Sequence, residues 1–535
     1  MNFRRYFILA SLLMLSVVSN SQPLNPLIDP DDSDFSESCT SIMVGKKASV
    51  DGSVMTAHTC DSNYRTWVTF EQRKKFIQGD TEPVYWGLLH TEEPSDKRNL
   101  IEKGRIPAVS ETFAYLNVAY PCMNEKQLAI GETTITGKKI LENPNGLFLI
   151  EELERIVLQR CTTARDAIKL IGELTEEYGY GDSGECITIA DKKEVWHLEI
   201  FGSGAGKPTA IWVAARIPDD HVGISANIPR ISLVDFNNKD MFIYSADIKK
   251  RVKDLGLWDG NEPFKFWKIV SGSKPFSIRE LFVFNTLAPS LNLKMDSEEL
   301  PFSVKPDKKV SINEILALYR QTYEGTEYDQ TKNLGVEITR KDKSNNEYKE
   351  VLKPISNFMT NDMRSLLNQI KPGVTDRWRS IAVIQCSYSH IIQLRDWLPD
   401  EVGGVAYFAF DNPAQSPRIP IYSGNLGLPV SFSICGQHRY RTDAAIWAFR
   451  ETNRIATINW DKTRKVLEPQ ILHFENFMFE NASQLEQKVV RLVKDGKNKE
   501  AKELVTSYTN DFASATIRRW QELKSELWSI FSRSM

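Results

Sequence analysis

The chain has no excess of either charge: 67 Lys and Arg against 70 Asp and Glu leave a formal net charge of −3 over 535 residues. Neutralising phosphate needs a basic surface, so a nucleic-acid binder has no electrostatic support here. Glycine (28) and proline (24) are sparse, which excludes a chain dominated by flexible linkers. There is no internal repeat and no low-complexity tract. None of the seven cysteines (39, 60, 122, 161, 186, 386 and 435) stands at Cys-x-x-Cys spacing, and the histidines form no His-Glu-x-x-His pair. Zinc-ribbon, thioredoxin-type and zincin chemistry are therefore unsupported, and neither metal nor cofactor is expected. Residues 202–207 resemble a phosphate loop, but Pro208 stands where Ser or Thr is required, so they are expected to be the loop after a strand. Residues 29–34 begin like a calcium loop, yet Asp34 occupies the glycine position and Thr40 the glutamate position. What is present is globular: 41% hydrophobic residues, 26% charged, and 12 Trp for a large core.

The amino terminus makes the first functional statement. Arg4 and Arg5 precede an apolar run over residues 6–18, followed by the small polar residues Ser19, Asn20 and Ser21. This is the pattern of a secretory signal peptide (1–21), and the run is too short for a membrane helix of about 20 residues. An acidic stretch follows, so 22–38 are expected to be a prosegment and the mature protein to be exported to the periplasm or outside the cell, without a membrane span. An odd number of cysteines leaves at least one thiol outside any intramolecular disulfide.

From residue 39 the period changes. Residues 39–44 and 53–59 alternate about an Asp51-Gly52 turn, predicting a β-hairpin that starts at Cys39. Further strands are expected near 113–120 and 128–134, then two helices over 149–160 and 164–178, the second capped by Thr163 and closed by Gly179. A meander follows at 187–190, 195–201, 211–215 and 222–226, with core strands at 381–387 and 405–410. Ser311 with Glu314, and Ser483 with Glu486, have capping-box spacing, and from residue 484 onward the chain reads as polar helix. Strands, helices and strands again indicate an α+β class, not alternating βαβ units.

Cys39 admits three readings. A buried structural thiol is the commonest. A lipoprotein cysteine fails, because it would directly follow the apolar run. The third is that the leader is removed, making Cys39 the mature amino terminus. Its α-amine, with a reference pKa of about 7.7–8.0, then takes the thiol proton, and no catalytic histidine is needed.

Residues 39–62 (CTSIMVGKKASVDGSVMTAHTCDS) resemble the opening of the dipeptidase A family, cysteine peptidases of the N-terminal nucleophile hydrolase superfamily. Similar stretches recur in order at Met123-Asn124-Glu125-Lys126, at 184–215 with Glu194-Val195-Trp196, at 216–227, and at 389–396. The resemblance spans about 39–475 and implies a four-layer αββα sandwich with Cys39 as nucleophile; the polar helical pattern beyond it is expected to form a carboxy-terminal extension (476–535). The resemblance implies dipeptide substrates and no metal, and it leaves homo-oligomerisation open.

By similarity to the related bile-salt and penicillin amidases, Asp61 should orient the α-amine and Asn227 should serve the oxyanion or the amine. His58 stands where those relatives carry Arg, and their second oxyanion Asn falls near Thr134. His58 and Arg379 are candidates for substrate contact; Arg379 and Arg395 each have the fork to grip a carboxylate, or are surface residues. His390 reads as a core histidine. Three functions remain open: a dipeptidase, an amidase acting on N-acyl amino acids or bile-salt conjugates, and a non-catalytic binding protein on the same scaffold.

Overall fold

The computed structural model describes residues 37–532 except 207 and 377; the expected signal peptide, the prosegment to residue 36 and the calcium-like stretch lie outside the described residues. Two antiparallel sheets form the centre. The first runs in the order Ser303–Val304, Val222–Ser225, Glu37–Val44, Val54–Ser62, Tyr388–Leu394, Gly404–Phe410, Ile419–Tyr422. The second runs Phe242–Tyr244, Ala210–Ile217, Val195–Gly202, Glu185–Ala190, Ala129–Thr134, Met123–Asn124, Tyr115–Asn117, Thr69–Glu71. The inner strands are buried along their length, because both faces of each sheet are covered.

The sheets face one another at the hairpin. Glu37–Val44 and Val54–Ser62 pack on Ala129–Thr134, and the Ser41 hydroxyl donates to the Glu132 carbonyl at 2.9 Å. Gly131 sets this approach: a methyl group there would lie 2.8 Å from the Thr188 hydroxyl and 3.2 Å from the Ala57 carbonyl. Helices Ile150–Arg160 and Ala164–Tyr178 lie against the second sheet. The Thr163 hydroxyl caps the latter by accepting from the Asp166 N–H, and Gly179 ends it with φ of 80°. Helices Ile278–Leu287, Ile312–Tyr319 and Ala445–Thr457, with the 35-residue Asn498–Ser532, cover the first sheet, and Trp460–Lys494 packs on the last two of these and across the carboxy-terminal pair. The architecture is α+β with a helical carboxy-terminal region. No described helix is long and apolar enough to cross a membrane.

Several expectations shift. The first strand begins at Glu37, two residues before Cys39, so the Ser38–Cys39 peptide lies inside the strand. Residues 222–225 leave the meander and join the first sheet beside the strand Glu37–Val44, because residues 218–221 form a turn that carries the chain across. Residues 381–387 are irregular; the strand starts at Tyr388. Ser311 does form a capping box with Glu314. Ser483 does not start a helix: it lies inside Trp460–Lys494, which begins 23 residues earlier and also contains residue 475. Its partner Glu486 instead meets Arg395, whose guanidinium also donates to the carbonyls of Val402 and Gly403. Arg395 thus ties the long helix to the sheet.

Candidate active site

Register fixes which side chains share a face. Cys39 pairs with Cys60 and Ser41 with His58, whereas Ser38 pairs with Asp61 and Thr40 with Thr59. Directly opposed residues point the same way. Cys39, Ser41, His58 and Cys60 therefore face the second sheet, and Ser38, Thr40, Thr59 and Asp61 face the helices.

On the helix side, side chains converge on the backbone either side of Cys39. The Cys39 N–H donates to Asn227 Oδ1 at 2.9 Å. Asn227 follows the strand Val222–Ser225 in the left-handed region (φ 64°), which asparagine tolerates better than most residues. Its Nδ2 donates to the Thr134 carbonyl at 2.8 Å, linking the two sheets. Arg279 donates to the Cys39 carbonyl (2.7 Å), Thr40 Oγ1 (3.1 Å), the Ala226 carbonyl (2.9 Å) and Asn227 Oδ1 (3.0 Å). Burial and the neighbouring Arg379 lower the Arg279 pKa to about 10, still a cation at neutral pH. Arg379 donates to the Ser38 carbonyl at 3.3 Å and to Asp61 at 2.8 Å. The Thr59 hydroxyl donates to the same Asp61 oxygen at 2.7 Å, leaving Asp61 Oδ1 buried without a hydrogen bond.

On the sheet side the thiol of Cys39, a ring nitrogen of His58 and a carboxylate oxygen of Glu132 lie within 4.8 Å of one another, all buried. A soft divalent ion held by these three would occupy the Cys39 sulfur. Burial, reinforced by the charges of Glu132, Cys60 and Asp61, pushes the Cys39 thiol well up, so with the Ser38–Cys39 peptide intact the sulfur is held protonated. His58 contacts the Glu132 carbonyl through Nδ1 at 2.6 Å, and its Nε2 has no hydrogen-bond partner. It lies opposite His390, with ring centroids 5.3 Å apart. His390 is buried beside it in the core.

Burial lowers the His58 pKa to about 4 from 6.5. Between these values the unfolded chain binds a proton that the folded chain refuses, so this group removes stability as pH falls from 6.5 towards 4. Wild type is expected to lose about 1.4 kcal/mol per pH unit more than His58→Asn across that window. Urea midpoints at stepped pH check this, and equal slopes would contradict it.

The structure thus gathers Cys39, Asp61, Asn227 and Arg379 around one peptide, and sets His58 on the thiol's face instead. Thr134 contributes a carbonyl to Asn227 and a hydroxyl to Glu132 Oε1 at 3.2 Å. Two residues escaped the sequence reading. Arg279 had a signal: Ser277 and Glu280 form a capping box, which puts a cation in a helix's first turn, against the macrodipole. Glu132 had a weaker one, a glutamate on a strand buried on both faces. All seven thiols are free and buried, so burial alone does not single out Cys39; the side chains on its backbone do.

The profile of Peptidase family C69 matches residues 38–471. Among similar proteins, a "Probable dipeptidase" of Latilactobacillus sakei is 26% identical over 408 residues, covering 72% of this chain and 74% of its own. "Dipeptidase A" of Lactobacillus helveticus is 23% identical, covering 79% and 82%. "Probable dipeptidase B" of Lactococcus lactis subsp. lactis is 25% identical with the same coverage, 79% and 82%.

Proposed function

The chain belongs to Peptidase family C69, and from that premise we propose that it is an exported cysteine dipeptidase whose nucleophile is the amino-terminal thiol of Cys39. Residues 1–21 serve as signal peptide, 22–38 as a prosegment whose removal uncovers Cys39, 39–475 as the catalytic domain and 476–535 as its helical extension. Two facing sheets with helices outside each support the αββα layering. The observation that carries the reading is the concentration of side chains on the backbone about Cys39: Asn227 on its N–H, Arg279 on its carbonyl and Arg379 on the preceding Ser38 carbonyl. Side chains that hold the nitrogen and carbonyl of a chain-internal cysteine this closely are suited to orient a free α-amine once the bond is cut.

In the processed enzyme the α-amine accepts the thiol proton, and the sulfur attacks the carbonyl carbon of a dipeptide. The peptide C–N bond breaks as the ammonium returns the proton to the leaving nitrogen, releasing the second amino acid and leaving a thioester. Water then attacks the thioester, giving its proton to the amine, and the thiol is restored as the first amino acid leaves. Asn227 and Asp61 hold the amine, with Asp61 supplying negative charge as it becomes ammonium. Arg379, already on the Ser38 carbonyl, is placed to meet the substrate carbonyl that takes Ser38's position. His58 lies on the thiol's side of the substrate.

Hydrolysis of free dipeptides by the purified processed protein tests the reading. Activity is expected to survive EDTA and to be lost to iodoacetamide. Loss to EDTA that zinc restores would contradict it.

A further inference from the structure

Glu132 is an acidic side chain on the face of the strand Glu37–Val44 that carries the Cys39 thiol. A carboxylate oxygen of Glu132 lies within 4.8 Å of the Cys39 sulfur, and Glu185 stands on the adjoining strand, near enough for the two carboxyls to influence each other's protonation. Neither carboxylate has a salt-bridge partner among the described residues, and Glu132 Oε2 and Glu185 Oε2 are buried without hydrogen bonds. The Tyr180 hydroxyl, within the field of both, is also buried and unpartnered. A buried unpaired carboxylate is costly unless a cation joins it. The site thus holds a pair of buried carboxyls with no cation of its own, beside the Cys39 sulfur.

We infer that Glu132 receives the α-ammonium of the substrate, so that hydrolysis requires a free amino group on the residue whose carbonyl Cys39 attacks. This rests on the dipeptidase reading. An α-nitrogen lies about 2.5 Å from the carbonyl carbon of its own residue, and in the acyl-enzyme it stays within about 4 Å of the sulfur. Glu132, within 4.8 Å of that sulfur, is in range. Burial raises both carboxyls, Glu132 to about 7 and Glu185, pushed further by the Glu132 charge, well above its ordinary value, so Glu132 is the one that ionises first and an arriving ammonium would hold it ionised. An N-acylated substrate brings no cation and would leave Glu132 unpaired. Asp61 does not compete for this role, because it faces the helices and is already held by Arg379 and Thr59.

The test compares kcat/KM for a panel of free dipeptides and their N-acetyl counterparts, per molecule bearing amino-terminal Cys39 by mass. Wild type is expected to prefer the free forms by about 10²-fold or more. Glu132→Gln should lose about 10²-fold on free dipeptides, mainly through KM, and change little on the acetylated ones. Glu185→Gln retains a hydrogen-bond donor and should keep the preference. If Glu132→Gln keeps the preference, the inference is overturned and the dipeptidase reading stands. If wild type cleaves N-acyl amino acids and no free dipeptide, both fall. Should Glu132→Gln not be processed, Glu132→Asp carries the test: it is expected to retain the preference with a raised KM, and indiscriminate cleavage by it would overturn the inference.

Discussion

Replacing Cys39 with alanine is expected to reduce dipeptide hydrolysis to background, a loss of at least about 10⁴-fold, because no other group supplies the attacking atom. The fold should survive, since the change removes one buried sulfur from a strand paired on both sides. Stability should fall by about 1–2 kcal/mol, as for other small core truncations. The same variant is expected to keep residues 22–38, because Ser38 lies within a paired strand with its carbonyl on Arg379, next to the thiol proposed to cut the bond. Mass spectrometry and urea unfolding check both parts. A trimmed Cys39→Ala protein would assign the cut to an external protease.

The second large effect is expected at Arg279. Arg279→Met fills similar volume but removes four hydrogen bonds that hold the Cys39 carbonyl, Thr40, Ala226 and Asn227. It leaves buried acceptors unpaired, so stability should fall by about 3 kcal/mol or more. Misplacing Asn227 and the Cys39 backbone should lower kcat by about 10²–10³-fold in correctly processed enzyme. Arg279→Lys should recover part of the stability and little of the rate, since an ammonium cannot span both carbonyls as a fork does. A destabilised Arg279→Met enzyme with wild-type kcat would make Arg279 a packing residue only.

Much of this arrangement could be read before the fold was known, and the reasons are local. The hairpin around Cys39 was legible because its alternation is uninterrupted, and the Ala164–Tyr178 helix because Thr163 and Gly179 bracket it. Residues 381–387 misled: their apolar composition suits a core strand, yet they form the irregular segment that follows Arg379. Ser483 misled for a similar reason, since capping-box spacing also occurs inside a continuous helix.

At the site, Cys39 stood out by its place at the start of the hairpin after the acidic leader, whereas Asp61 and Asn227 came from resemblance to a family. Arg279 reaches Cys39 across 240 residues of chain, and no local pattern reports such a contact. Glu132 meets the thiol only because Gly131 lets two sheets approach closely. Which face a strand residue occupies depends on register, and register between distant strands is a property of the assembled sheet.

The central claim is that Cys39 acts as an amino-terminal residue, and the mature amino terminus tests it most directly. The active protein, purified after export and sequenced from its amino terminus, is predicted to begin at Cys39, with residues 1–38 absent. Full dipeptidase activity in a protein that begins upstream of Cys39 would contradict the account, because the lone pair of an acylated Cys39 nitrogen is delocalised into the carbonyl and cannot accept the thiol proton.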